Sequence, residues 1–205
     1  MQWDDIVSGR RSVKKYDPAH IISNKELKTL FSQVVLSPSS FNLQHWRFVV
    51  VRDPAGKARL KEAAFHQEQV ETASATIVVV GKLTAHEEAP QIYADAPKQV
   101  REMMIPMIRD FYADHPRLQR DEAIRSASLA AMTLMYAAYE MGYATGPMIG
   151  FDPEAVSRLI GLDDQHIPVM LVVIGKQVGD IRPRDYRHPL TRVVKLEAMN
   201  GKGLS

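Results

Sequence analysis

The chain contains no cysteine. That excludes a disulfide framework, a thiol nucleophile and a thiolate metal site, so any redox chemistry has to be carried by a bound cofactor. Long apolar runs are also missing: nothing approaches the roughly 18 to 20 residues that span a bilayer, and the start "MQWDDIVSGRR" has no apolar signal-peptide core. A cytoplasmic protein with no membrane segment is therefore expected. Neither sign of charge dominates, with a formal net charge of +2, and aromatic residues make up only 7% of the chain with no basic stripe interleaved among them. Nucleic acid is accordingly not an expected partner, although the charge suits a protein that holds a small anion. The seven histidines are scattered without HExxH or paired spacing, so no metal site is expected. No GxGxxG follows a strand and there is no GxxxxGK(S/T), which removes the usual support for a Rossmann or P-loop nucleotide site.

No repeat, low-complexity tract or Gly/Ser linker divides the 205 residues, and 45% of them are hydrophobic. This is enough to bury a sizeable core in one domain spanning residues 1–205. "RFVVVRD", "ATIVVVG" and "PVMLVVIGK" are short β-branched runs bounded by charge, Gly or Pro, as expected of strands in the middle of a sheet. "SNKELKTLFSQVVLSPSS" opens on the N-cap candidates Ser23 and Asn24, places Leu27, Leu30, Phe31, Val34 and Val35 at helical spacing, and should stop near Ser37-Pro38. A long helical region from about Asp95 to Gly142 breaks near "DHPRLQ". Its second half, "IRSASLAAMTLMYAAYEMG", is apolar on nearly every side and should lie in the core or at a subunit interface. The order of elements is α+β.

Two polar stretches need a purpose. In "SPSSFNLQHWRFVVVRD", from Ser37 to Asp53, serines, asparagine and glutamine stand directly before a buried strand. They could simply cap and turn the chain; Trp46 reads as packing, and a loop histidine such as His45 reads as solvated. In "SGRRSVKKYDP", a short helix candidate, "WDDIVSG", leads into an extended piece, so Arg10, Ser12 and Lys14 should point the same way. Two cations and a hydroxyl on one face suit a phosphorylated ligand, because arginine grips phosphate in bidentate fashion and lysine acts as a point charge. A third basic segment, "IRPRDYRHPLTRVV", lies near the end of the chain.

Taken together, "RRSVKKYDP", "SPSSFNLQHWRFVVV", "GPMIGFDPEAVSRLIGL", "PVMLVVIGK" and "RHPL" resemble the FMN-dependent nitroreductases, in register along essentially the whole chain. The resemblance implies a three-layer α/β/α sandwich around a mixed, mainly antiparallel sheet, and a homodimer with flavin at the subunit interface and a domain-swapped tail. It implies that Arg10, Arg11 and Ser12 contact the FMN phosphate and ribityl chain and that Arg187 completes the phosphate site. Lys14 would stand at the pyrimidine edge of the isoalloxazine, where a cation tunes the flavin, and Gln69 would make a polar contact to the same edge. Met148, Ile149 and Gly150 would present backbone N–H groups to flavin N5 and O4. Pro38, Ser39, Ser40 and Asn42 would reach the flavin bound mainly by the neighbouring subunit.

The implied activity is ping-pong transfer of hydride from NAD(P)H through flavin N5 to a nitroaromatic, a quinone or a similar small acceptor, with no side chain acting as nucleophile or general base. A non-catalytic FMN-binding or storage protein is the alternative. Two positions depart from the pattern: Ile149 stands where many relatives carry glutamate, and Asp185 where they carry a basic residue, a role Arg184 could assume from one position away.

Overall fold

The computed structural model describes residues 1–204. Helix α1 (Trp3–Gly9) is a short amphipathic piece that buries Ile6. Helix α2 (Asn24–Val34) begins where the sequence places its cap. Ser23 Oγ accepts from the Glu26 N–H at 3.2 Å and Glu26 Oε2 accepts from the Ser23 N–H at 2.8 Å, a reciprocal capping box worth about 1 kcal/mol. Its apolar stripe Leu27, Leu30 and Val34 is buried. The helix ends at Val34, before the Ser37-Pro38 stop expected from sequence, and after a two-residue turn the Ser37 hydroxyl donates to the Val34 carbonyl at 2.7 Å. After a 3-10 turn (Ser40–Asn42) come β1 (Trp46–Val51), α3 (Pro54–Ala63), α4 (Glu68–Thr72) and β2 (Ala75–Lys82). A second 3-10 turn (Ala85–Glu88) leads into α5 (Ala89–Ile92) and α6 (Lys98–Tyr112), then α7 (Pro116–Glu140), β3 (Ala144–Met148), α8 (Pro153–Ile160), β4 (His166–Gly175) and α9 (Leu190–Val193).

The four strands form one sheet in the order β1-β2-β4-β3 and pair antiparallel. A parallel contact is supplied by the isolated bridge between Ser12 and Thr145. Both faces of the sheet are covered, so its strands read as near-continuous apolar runs instead of alternating ones. On one face Ile77, Val79, Val172 and Ile174 pack with α2 and the alanine-rich side of α7, including Ala127, Ala130 and Ala131. On the other face Val78, Val80, Leu171 and Val173 pack with Leu60 of α3, Val70 of α4 and Val156 of α8. This is the expected three-layer arrangement. A smaller cluster of Leu43, Ala85, Ala89, Ile108 and Tyr112 ties the Ala85–Pro116 segment to the polar loop before β1.

Strand β3 was not among the runs that read as strands, because Gly146 and Pro147 interrupt it; pairing of Thr145 with Ile174 and of Pro147 with Val172 overrides that local signal. The tail after β4 forms α9 and a bridge between Lys195 and Gly203, and residues 178–200 are exposed throughout. No helix among the described residues is long and apolar enough to cross a membrane.

Candidate functional site

The basic run lies across the end of the sheet. The Val13 N–H donates to the Thr145 carbonyl at 3.0 Å, the Asp17 N–H donates to the Lys176 carbonyl at 2.8 Å, and Tyr16 pairs with Gln177. Tyr16 is buried, and its hydroxyl donates to the Val13 carbonyl. Gly146 is required beneath this crossing, since a Cβ there would meet the Val13 carbonyl oxygen at 2.8 Å. The run is thus pinned through Val13, Tyr16 and Asp17. Ser12 and Lys14 are exposed, but Lys15 is exposed too and Arg11 lines the same cleft, so the strict alternation expected of an extended piece does not hold along the run.

Arg10, Ser12 and Lys14 line a cleft of about 230 Å³ together with Arg11, Arg184 and Arg187, and Asp185 also lines it. It shares Arg11, Ser12, Lys14 and Arg182 with a neighbouring cleft of about 560 Å³ whose far wall is Gln177–Ile181. None of Arg10, Arg11, Arg184 and Arg187 lies within ion-pair distance of a carboxylate among the described residues. Arg10 Nη1 and Arg11 Nε are buried without a hydrogen-bond partner. Desolvation first, and then the charges of Arg11, Arg187 and Arg10, push the Arg184 guanidinium below its ordinary pKa. Guanidinium groups crowded together with donors unused can receive an anion, and an unmade hydrogen bond at the buried atoms of Arg10 and Arg11 is otherwise costly.

The arginines divide their work. Arg11 Nη1 donates to the carbonyls of Ser8 at 2.5 Å, Gly9 at 3.1 Å and Arg10 at 3.0 Å, closing the C-terminus of α1. Arg184 Nη2 donates to the carbonyls of Val7 and Ser8 at 3.0 Å and of Arg10 at 3.1 Å. The sequence suggests that Arg184 could replace a missing basic residue at Asp185; the structure uses it to clamp the tail onto the end of α1, where a cation also complements the helix dipole. Arg187 donates to the carbonyls of Asp185 and Tyr186 and stays exposed.

A second group lies at the end of β3. Gln69 is only 6% exposed, and its Nε2 donates to Gln67 Oε1 at 2.8 Å and to Met148 Sδ at 3.0 Å. Gln67 in turn donates to the Gly150 carbonyl at 2.8 Å. The outer amide of this pair is therefore Gln67, a residue that the sequence alone did not single out although it stands two positions away. Ile149 is 82% exposed at the tip of the turn. Because Val13 is bonded to Thr145 at one end of β3, the cationic cleft and the Met148–Gly150 turn are joined by a single strand.

Pro38, Ser39, Ser40 and Asn42 are not among the residues lining either cleft. Within one chain Ser39 Oγ accepts from the Gln44 N–H at 2.9 Å and Ser40 Oγ bonds Tyr112 OH at 2.9 Å. His45, read from sequence as solvated, is 1% exposed. Burial holds its imidazole down to a pKa of about 4, the neighbouring carboxylate Glu122 opposing this. Trp46 is buried as expected.

A family model described as "Nitroreductase family" matches residues 7–176. The chain is 40% identical over 202 residues to MhqN of Bacillus subtilis, provisionally named an NAD(P)H nitroreductase, covering 95% of this chain and 98% of that one. It is 35% identical over 193 residues to a protein named NADH dehydrogenase from Thermus thermophilus, covering 90% and 91% of the two. Among solved structures, a provisionally named nitroreductase from Exiguobacterium sibiricum in complex with FMN superposes with a TM-score of 0.90 at 34% identity, covering 96% of this chain and 98% of that chain.

Proposed function

The chain belongs to the nitroreductase family, and from that premise we propose that it is an NAD(P)H-dependent flavin oxidoreductase that binds FMN in the cationic cleft and works as a homodimer. The observation that carries the reading is the set of arginines without carboxylate partners, with Arg10 Nη1 and Arg11 Nε buried and unsatisfied. A phosphate monoester supplies both the negative charge and the acceptor oxygens that such a set lacks. Arg10, Arg11 and Arg187 would hold the phosphate, with Ser12 beside it. Lys14, on the same face of the run, would stand as a fixed cation at the pyrimidine edge. The Met148–Gly150 turn, braced by Gln67 and Gln69, would present its backbone to the opposite edge, and exposed Ile149 would leave that side open to reactants. Pro38, Ser39, Ser40 and Asn42 would close the site from the partner subunit, in keeping with their position outside the clefts of their own chain.

Bound there, FMN supplies the hydride exchange between NAD(P)H and a small acceptor such as a nitroaromatic or a quinone. The protein's part is to orient the cofactor, leave one face of it open and supply the electrostatic field. We place the reaction in the cytoplasm, where the NAD(P)H pool is found. The deciding experiment is the absorbance of purified protein, followed by anaerobic addition of NADH or NADPH. Yellow protein that releases FMN on denaturation, bleaches with NAD(P)H and recovers colour with a nitroaromatic or quinone is the expected result. Colourless protein that cannot be reconstituted overturns the proposal, and bound FMN that NAD(P)H cannot reduce points to storage.

A further inference from the structure

The loop before β1 is strained. Phe41, Asn42 and Gln44 have φ of 50°, 56° and 50°, in the left-handed region that residues with a Cβ rarely adopt and that persists only where surrounding contacts over-determine it. Part of the restraint is internal, through the Ser39–Gln44 bond and a 3.0 Å bond from Gln44 Nε2 to the Asn42 carbonyl. The rest comes from the Ala85–Pro116 segment. Tyr93 OH donates to the Phe41 carbonyl at 3.2 Å, Tyr112 OH bonds Ser40 Oγ at 2.9 Å, and the Phe41 ring meets Phe111 and Tyr112 edge-on at 5.9 and 6.3 Å. Tyr112 is itself immobilised: its ring is buried, His86 stacks on it at 5.7 Å with an interplanar angle of 24°, and His45 meets it edge-on at 6.2 Å. Nδ1 of each of these histidines is buried without a partner among the described residues, and the Tyr112 hydroxyl bonds Ser40 and neither histidine.

We propose that Tyr112, seconded by Tyr93, is a positioning residue that acts through Ser40 to hold the Ser39–Gln44 loop in its strained form, so that the α5–α6 segment sets cofactor affinity without lining the cationic cleft. The brace itself stands on the geometry of this chain; its effect on cofactor affinity rests on the FMN reading above. The segment's role is thereby structural support of a cofactor wall from behind.

The test uses full-length protein and the variants Tyr112→Phe, Ser40→Ala, the pair combined, and Tyr93→Phe. Hydrogen exchange of the amides in residues 39–45 is measured without added FMN, and FMN affinity and the visible absorption band of bound FMN are measured by titration. Tyr112→Phe is expected to speed exchange in the loop by about tenfold while leaving β2 and β4 protected. It should weaken FMN binding by about two- to tenfold, the range for one neutral hydrogen bond, and shift the bound flavin's band. Because the two groups act through one bond, the double variant should be no weaker than Ser40→Ala alone. Unchanged loop exchange in Tyr112→Phe overturns the brace, and additive losses in the double variant overturn its action through Ser40. Should Tyr112→Phe fail to fold, Tyr93→Phe must show the same local loosening or the proposal falls. If the parent binds no FMN, the cofactor reading fails while loop exchange still decides the brace.

Discussion

Arg10 and Arg11 stand side by side in one cationic run, yet the fold depends on them differently. Arg11 satisfies three carbonyls at the end of α1, whereas Arg10 Nη1 has no partner among the described residues. Arg10→Ala should therefore leave the unfolding midpoint in urea unchanged and weaken FMN binding by about ten- to a hundredfold, the equivalent of roughly 1.5 to 3 kcal/mol for a charge-assisted bond. Arg11→Ala should lose affinity and also about 1 kcal/mol of stability as the α1 carbonyls lose their donor. Equal stabilities for the two variants would refute the division. A second residue-scale expectation concerns pH. The folded state keeps His45 neutral with a pKa of about 4 against an ordinary 6.5, so the unfolded chain takes up a proton first as pH falls. Stability from this group is complete above pH 6.5 and is lost progressively down to about pH 4, on the order of 3 kcal/mol over the interval. Glu26, held down to about 2 by the hydroxyls of Ser23 and Tyr143, contributes above its ordinary 4.5 and is lost only as pH falls towards 2. Urea unfolding at a series of pH values should show His45→Gln flattening the upper limb of the acid profile and leaving the lower limb in place.

Helices and strands whose own residues dictate them were legible in the sequence. The Ser23–Glu26 box announces α2, and the β-branched runs announce β1, β2 and β4. Burial on both faces accounts for the run in β2 and the second half of β4, whereas β1, expected in the middle of the sheet, is a half-buried edge strand. That Arg10, Ser12 and Lys14 come to one cleft was legible too, though Arg11 joins them there. What could not be read was set by contacts between distant segments. Strand β3 looks like a turn because Gly146 and Pro147 weaken its local signal, and its glycine is there to admit the Val13 carbonyl. The Arg184 clamp, the burial of His45 and the Tyr112–Ser40 bond likewise join positions far apart along the chain. That crossing gives an element-scale prediction. Gly146→Ala places a methyl against the Val13 carbonyl at 2.8 Å and against Val173 Cγ2 at 3.0 Å, and should lift the run from the sheet at a cost of about 1 to 3 kcal/mol. Exchange of the Val13 amide should rise with the loss of stability; a variant as stable as the parent, with Val13 still protected, would show that the run is held by Tyr16 instead.

A single chain exposes more surface than its mass warrants. Its 12190 Å² compares with roughly 9,700 Å² for a monomeric protein of 23.1 kDa, an excess of roughly 2,500 Å². Exposed large apolar side chains gather in two places. One is the face around α1, the end of α2 and α7, where Trp3, Val35, Leu36 and Leu129 are exposed; the other is the tail, where Leu190, Val193 and Met199 have no core to enter. Apolar patches of this kind are rare on monomers, and the homodimer proposed above, burying roughly 2,000 Å² or more, would account for both. Equilibrium sedimentation should return a dimer throughout the micromolar range. Deleting the residues after Pro189 keeps Arg184 and Arg187 and removes the apolar part of the tail. The truncated protein should lose dimer affinity and thermal stability far more than it loses phosphate contacts, so FMN binding measured at high protein concentration should change little while dissociation on dilution becomes marked. If the truncated chain is as stable and as dimeric as the parent, the tail is an ordinary exposed terminus and the dimer is held by the helical face alone.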